Sequence, residues 1–252
     1  MRAMILAAGQ GKRLRPITNT IPKPMVSAGG KSLILWHIER LKALGITDLV
    51  VNGAYLKEVL FNYLGDGSQF GVTIKQSPED ADGLETAGGI IKALPLLIAD
   101  SQEQEPFLVI NGDVFIAGNY DFVLPPPALL TTIGASSAPN TPNAISSSAD
   151  PQLLAHLYLT KNPAHNLKGD YTIAANGLLQ YGSDYTFAGV AWYRPQAFQG
   201  IAVERLPLRP FFDSWVANNQ ISASLLPHPW FDVGTVERLN ELEQFLLAHP
   251  QA

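Results

Sequence analysis

Near the amino terminus, cations are spaced through a glycine loop. In Ile5–Met25, ILAAGQGKRLRPITNTIPKPM, Lys12, Arg13, Arg15 and Lys23 surround and follow Gly9 and Gly11. Glycine lets backbone approach a ligand closely, because no Cβ stands in the way. Backbone N–H groups and fixed positive charge in one loop suit phosphate oxygens, so a polyphosphate is the first ligand to expect. On glycine and charge alone, an exposed basic turn is an equal alternative.

Two acids complement that loop. Asp113 follows the apolar run Phe107–Ile110 and Asn111-Gly112, while Asp232 stands just before Gly234-Thr235. In open α/β sheets, ligands bind beyond the carboxyl ends of the strands, where Asp113 is expected. Mg²⁺ takes oxygen ligands and shares them with substrate phosphates, so two separated carboxylates would suffice. Aspartate beside glycine is also a common turn residue, and Asp232 could equally serve the start of the last helix.

Other chemistries lose ground. His37, His156, His165, His228 and His249 show no metal-ligand spacing and no serine nucleophile elbow. With no cysteine, thiolate sites and disulfides are excluded. Leu14 stands where a dinucleotide fingerprint needs glycine, and no Gly-Lys-Ser/Thr triplet occurs. Anion binders, metal-capable acids and no activated nucleophile suit phosphoryl or nucleotidyl transfer, in which positioning and charge neutralisation do most of the work.

The elements that must position these residues alternate. The sequence predicts a helix over Ser32–Leu44 with Ser32 as its cap, a strand at Asp48–Asn52, a helix at Tyr55–Leu64 and a strand at Val72–Gln76. A polar loop, Ser77–Glu85, leads to a helix ending near Leu97 and then the strand before Asp113. This pattern is that of a parallel sheet with covering helices. Short strands follow at Leu153–Leu159, Asp170–Ala174, Leu178–Tyr181, Phe187–Tyr193 and Ile221–Leu225, with a helix at Arg209–Asn218 and a closing helix after Thr235. Pro22 and Pro24 are expected to keep Lys23 in extended backbone. The Ser/Pro/Asn-rich stretch 134–150 reads as a flexible insertion dispensable for catalysis.

At 252 residues the length suits one large domain; 46% apolar and 15% charged residues argue for a folded core. A net charge of −5 offers no general attraction to nucleic acid or anionic membrane. No signal peptide or membrane-length apolar run is visible, so the expectation is a soluble cytoplasmic protein.

Leu6–Pro16 with Thr18 and Pro22-Lys23-Pro24-Met25 resembles the amino-terminal signature of the sugar-1-phosphate nucleotidyltransferases. The likeness continues through Gly83–Gly89, Asn111-Gly112-Asp113, Phe187-Ala188-Gly189-Val190 and Phe231–Thr235. It implies a Rossmann-like, GT-A-like α/β three-layer sandwich with a mixed, mainly parallel central sheet. One domain would span 1–252, with a nucleotide-binding half at about 1–123, a sugar-binding half at about 153–235 and a closing helix at 235–248.

The resemblance also implies roles. Ala7, Ala8 and Gly9 would present backbone to the base, and Gly11, Lys12 and Arg13 would hold the triphosphate. Gly83 and Glu79 would line the base and ribose pocket, Lys23 would neutralise the reacting phosphates, and Asp113 and Asp232 would bind Mg²⁺. Asn111, Asp170 and Gly189, with Lys23, would meet the sugar phosphate. The catalytic set would be Lys23, Arg13 and Asp113, with no general base, since a phosphate nucleophile is already anionic.

Leu84–Gly89, with Ala87 in place of a family glycine, and Asn162-Pro163-Ala164-His165 are most similar to the branch that uridylylates N-acetylmuramate 1-phosphate in peptidoglycan recycling. Its substrates would be UTP and the sugar 1-phosphate, and the protein would be a monomer or small homo-oligomer. Transfer to mannose or glucose 1-phosphate from GTP, dTTP or UTP is the alternative. A non-catalytic sensing subunit is remote, because Arg13, Lys23 and both aspartates are present.

Overall fold

The chain begins with a strand whose alternate side chains face opposite ways, and that alternation sets the layers. The computed structural model describes residues 1–98, 105–130 and 152–251; the predicted insertion at 134–150 lies outside them. In β1 (Arg2–Leu6), Ala3 and Ile5 enter one core and Met4 the other. After the glycine loop come a small hairpin, β2 (Ser27–Ala28) and β3 (Lys31–Ser32), then α1 (Leu33–Ala43), β4 (Asp48–Gly53), α2 (Lys57–Leu64), β5 (Thr73–Pro78) and α3 (Glu85–Leu97). Helices α1 and α2 cover the Ile5 face, while α3 packs on the Met4 face. Strands buried on both faces need continuous apolar runs, which explains Leu49-Val50-Val51 and Phe107–Ile110.

The remaining elements are β6 (Phe107–Asn111), β7 (Val114–Ile116), α4 (Pro127–Leu130), β8 (Ala155–Lys161), β9 (Tyr171–Ile173), β10 (Leu179–Tyr181), β11 (Tyr185–Tyr193), α5 (Arg209–Ala217), β12 (Ile221–Leu225), β13 (Trp230–Asp232) and α6 (Val236–Ala248). The main sheet runs β5-β4-β1-β6-β11, with β8 and β12 beyond β11 and the β9–β10 pair along the first part of β11. Strands β1, β4, β5, β6, β8, β9 and β12 point one way, and β10 and β11 oppose them. The sheet is therefore mixed and mainly parallel, between helical layers. No helix of the described residues is long and apolar enough to cross a membrane.

Several local expectations change. Ser32 makes no side-chain cap to α1; its hydroxyl lies 3.4 Å from the Tyr63 hydroxyl. Helix α2 starts at Lys57, because Leu56 is left-handed at φ 53°. Lys23 is not extended: it opens a 3-10 turn, Lys23–Met25, closed by Met25 N–H donating to the Pro22 carbonyl at 2.8 Å. The sequence reading also missed the antiparallel ribbon of β7 and β13, in which Asp232 faces Val114. Strands of three residues carry too little periodicity to be seen. With the β2–β3 hairpin and α6, this ribbon closes a third core containing Leu14, Phe115, Val233 and Leu242.

Candidate active site

The carboxyl ends of β1, β4 and β6 come into line because their parallel registers match Ile5 with Val51 and Leu6 with Asn111. Beyond them opens a cleft of about 520 Å³, lined by Leu6–Lys12, Lys23, Pro24, Asn52, Asp82, Gly83, Glu85, Thr86, Asn111, Asp113 and Arg205. Its floor is the glycine loop. Gly11 is left-handed at φ 60°, a Cβ there would lie 2.9 Å from Thr18 Cγ2, and the Thr18 hydroxyl donates to the Gly11 carbonyl at 2.7 Å. Among the described residues, the N–H groups of Gly9, Gln10, Gly11 and Lys12 have no acceptor. They are free for an anion.

Lys23 reaches the floor from the 3-10 turn. Its side chain is almost wholly buried, and Nζ donates to Asp113 Oδ2 at 2.5 Å. Asp113 is brought there by Gly112, whose N–H donates to the Leu6 carbonyl at 2.8 Å; a Cβ on Gly112 would sit 2.8 Å from that oxygen. The β7–β13 ribbon sets Asp232 on backbone adjoining Asp113, with the N–H of Val233 donating to the Asp113 carbonyl at 2.9 Å, although Asp232 itself is outside the cleft lining. Asp232 Oδ2 accepts from Arg238 Nη1 at 2.6 Å, and His165 Nε2 lies 3.4 Å from the same oxygen.

Among the described residues, no cluster of three or more His, Asp or Glu could cage a metal. Oxygen donors on adjoining backbone, Asp113 and Asp232, are of the type an ion shared with substrate phosphates takes, and each now holds a cationic group.

Other predicted residues are placed less directly. Asn111 lines the cleft, and Gly189 is packed on it: Gly189 has φ 73° at a bulge in β11, and a Cβ there would meet Asn111 Nδ2 at 2.7 Å. Arg13 is exposed, turned toward Gly234 and outside the cleft lining. Glu79 is outside the cleft lining. At 1% exposure it stands behind the wall. Its Oε1 accepts from Asn52 Nδ2 at 2.7 Å and its Oε2 from the Leu84 N–H at 2.8 Å. Asp170 is likewise a brace, accepting from the Phe187 N–H at 3.0 Å and from Asn166 Nδ2 at 3.2 Å.

Three residues were missed. Asn52 Oδ1 accepts from the Ala7 N–H at 2.7 Å, so Asn52 and Glu79 tie the two walls together. Its signal was present, since a polar residue ends the apolar strand as Asn111 does. Arg205 enters the cleft from the second half of the chain and pairs with Glu85 at 3.2 Å. Its segment lies on α3 through the N–H groups of Ala87 and Gly88, which donate to the Leu206 carbonyl. Arg238, in the first turn of α6, had no sequence signal.

The fold and this cleft at the strand ends are those of a nucleotidyl transferase, and the chain belongs to the nucleotidyl transferase family, whose model it matches over residues 2–125. It is 43% identical over 248 residues, 96% of this chain and 97% of the relative, to N-acetylmuramate alpha-1-phosphate uridylyltransferase of Neisseria meningitidis serogroup B. It is also 43% identical over 118 residues to a mannose-1-phosphate guanyltransferase of Neurospora crassa, covering 45% of this chain but 30% of that protein. The fold is shared with a Bacillus anthracis protein provisionally assigned as a glucose-1-phosphate thymidylyltransferase, at TM-score 0.75 and 19% identity over 97% of this chain and 94% of that one.

Proposed function

We propose that this chain transfers the uridylyl group of UTP to N-acetylmuramate 1-phosphate, releasing pyrophosphate and giving UDP-N-acetylmuramate, as a cytoplasmic step of peptidoglycan recycling. The observation that carries the reading is the Lys23–Asp113 pair on the cleft floor, beside a glycine loop whose N–H groups have no acceptor among the described residues. The similarity to the Neisseria uridylyltransferase over 96% of this chain supports the choice of substrates, whereas the likeness to the guanyltransferase covers 45% of it.

A phosphate oxygen of the sugar 1-phosphate attacks the α-phosphorus of UTP in line, and the bond to pyrophosphate breaks. The loop N–H groups hold the departing phosphates, and Lys23 neutralises charge where the bond is exchanged. Asp113 and Asp232 would hold Mg²⁺, which supplies Lewis-acid charge neutralisation when bound. Asn111, backed by Gly189, faces the acceptor side, and no proton needs to be moved.

The test is pyrophosphate release across four nucleoside triphosphates and the 1-phosphates of N-acetylmuramate, mannose and glucose. The expected maximum is UTP with N-acetylmuramate 1-phosphate. Lys23→Ala and Asp113→Asn should each lower kcat by at least about 100-fold, the scale of losing one preorganised charge contact, while circular dichroism stays native. Undiminished turnover in both variants, or a maximum on another pair, would refute the proposal.

A further inference from the structure

We propose that Arg238 is a positioning residue that withholds Asp232 from a bare divalent cation, so that metal enters the site together with the nucleotide. The proposal rests on reading Asp113 and Asp232 as the metal ligands.

Arg238 stands where helix electrostatics argue against it. It is in the first turn of α6, capped by the Thr235 hydroxyl, where the positive end of the helix dipole disfavours a cation. Its side chain is 12% exposed, so the charge is largely out of water. What holds it there is Asp232. Nη1 donates to Asp232 Oδ2 at 2.6 Å and to His165 Nε2 at 2.9 Å. Gly234 makes the room: its φ is not positive, yet a Cβ on it would lie 2.1 Å from Arg238 Nη2 and 3.1 Å from Arg13 Nη2. Glycine at 234 leaves the space that the Arg238 guanidinium occupies.

The other acid is occupied in the same manner, since Lys23 Nζ holds Asp113 Oδ2. Each carboxylate of the pair thus carries one cation, and Arg13 adds a third positive charge beside Gly234. A dication arriving alone finds its ligands neutralised and like charge within a few ångströms, and a guanidinium cannot shed its proton to make way. A triphosphate reverses this balance. Its oxygens offer Lys23 and Arg238 new partners and cancel the repulsion, while His165 Nε2 remains as a second acceptor for Arg238 once Asp232 is released.

The test is a Mn²⁺ titration of the whole protein, read by the electron paramagnetic resonance of the free ion, with and without UTP and with no sugar phosphate present. Arg238→Met should bind Mn²⁺ at least about tenfold more tightly than the parent when nucleotide is absent, because one adjacent unit charge has gone. With UTP bound the two should differ by less than about threefold, since phosphate charge then dominates. Gly234→Ala, which displaces the guanidinium sterically, should show the same gain and covers the case in which Arg238→Met does not fold. Adding Asp232→Asn should abolish the gain. Equal nucleotide-free affinities in the parent and in whichever of these two variants folds would overturn the proposal. If Asp232→Asn leaves Mn²⁺ binding with UTP unchanged, Asp232 is no ligand and the underlying reading fails instead.

Discussion

Replacing Asn52 by alanine tests how the cleft is held open. Asn52 is 1% exposed and makes two 2.7 Å hydrogen bonds, accepting from the Ala7 N–H and donating to Glu79 Oε1. The alanine variant strands a buried amide on one wall and half of a buried carboxylate on the other. Each unsatisfied group costs about 1–3 kcal/mol, the charged one towards the upper end, so the loss should be roughly 3–5 kcal/mol. For a chain of this size, about 2–4 °C per kcal/mol gives a fall in Tm of order 10 °C. Because Glu79 Oε2 also holds the Leu84 N–H, the segment bearing Gly83 should loosen, and the KM for UTP should rise more than kcat falls. The assays are urea unfolding and initial rates on the parent, Asn52→Ala, Glu79→Ala and the double variant. The double variant should lose less than the sum by roughly 1–3 kcal/mol, since both singles break one bond. A loss below about 1 kcal/mol, or strict additivity, would refute the reasoning.

Two other perturbations follow from close packing and burial. Gly88→Ala places a Cβ 2.2 Å from the Glu204 carbonyl and must lift residues 204–206 from α3, breaking the hydrogen bonds to Leu206; thermal melts should show a loss of about 2–4 kcal/mol. Gly9→Ala, with nothing among the described residues within 4 Å of the new Cβ and no positive φ, should melt with the parent. Burial, with Arg40 beside it, holds His37 down at about 3, and burial holds His156 at about 4. Both histidines bind protons more readily unfolded, so stability should be full above about pH 6.5 and fall towards pH 4, by up to about 1.4 kcal/mol per pH unit for each. Urea midpoints between pH 7 and 5 would measure this, and His156→Gln should flatten the slope by about one proton; an unchanged slope would count against it.

The sequence carries the nucleotide-side architecture well, for a physical reason. Runs such as Leu49-Val50-Val51 and Phe107–Ile110 are long, doubly buried and bounded by polar residues, so they can be read without tertiary information. Asp113 was legible by its place after such a run. Asp232 was legible as a residue but not as a neighbour, because the pairing that brings its backbone to that of Asp113 uses two strands too short to show a period. The roles of Glu79 and Asp170 could not be read because they depend on which way a carboxylate turns. Each faces its own scaffold, and spacing alone does not distinguish that from facing a ligand.

The ribbon of β7 and β13 also sets an order in time. A nascent chain that has passed β6 and β7 holds Lys23 and Asp113, yet its second acid is still unsynthesised, since Asp232 belongs to the last strand and is flanked by the last helix. Until then the growing polypeptide has the glycine loop and Asp113 without the second of the two acids proposed to hold metal. Asp232 takes its place beside Val114 only when β13 pairs with β7, over the small core that α6 helps to close. A truncation ending before Trp230 would therefore lose Asp232 while leaving the glycine loop encoded.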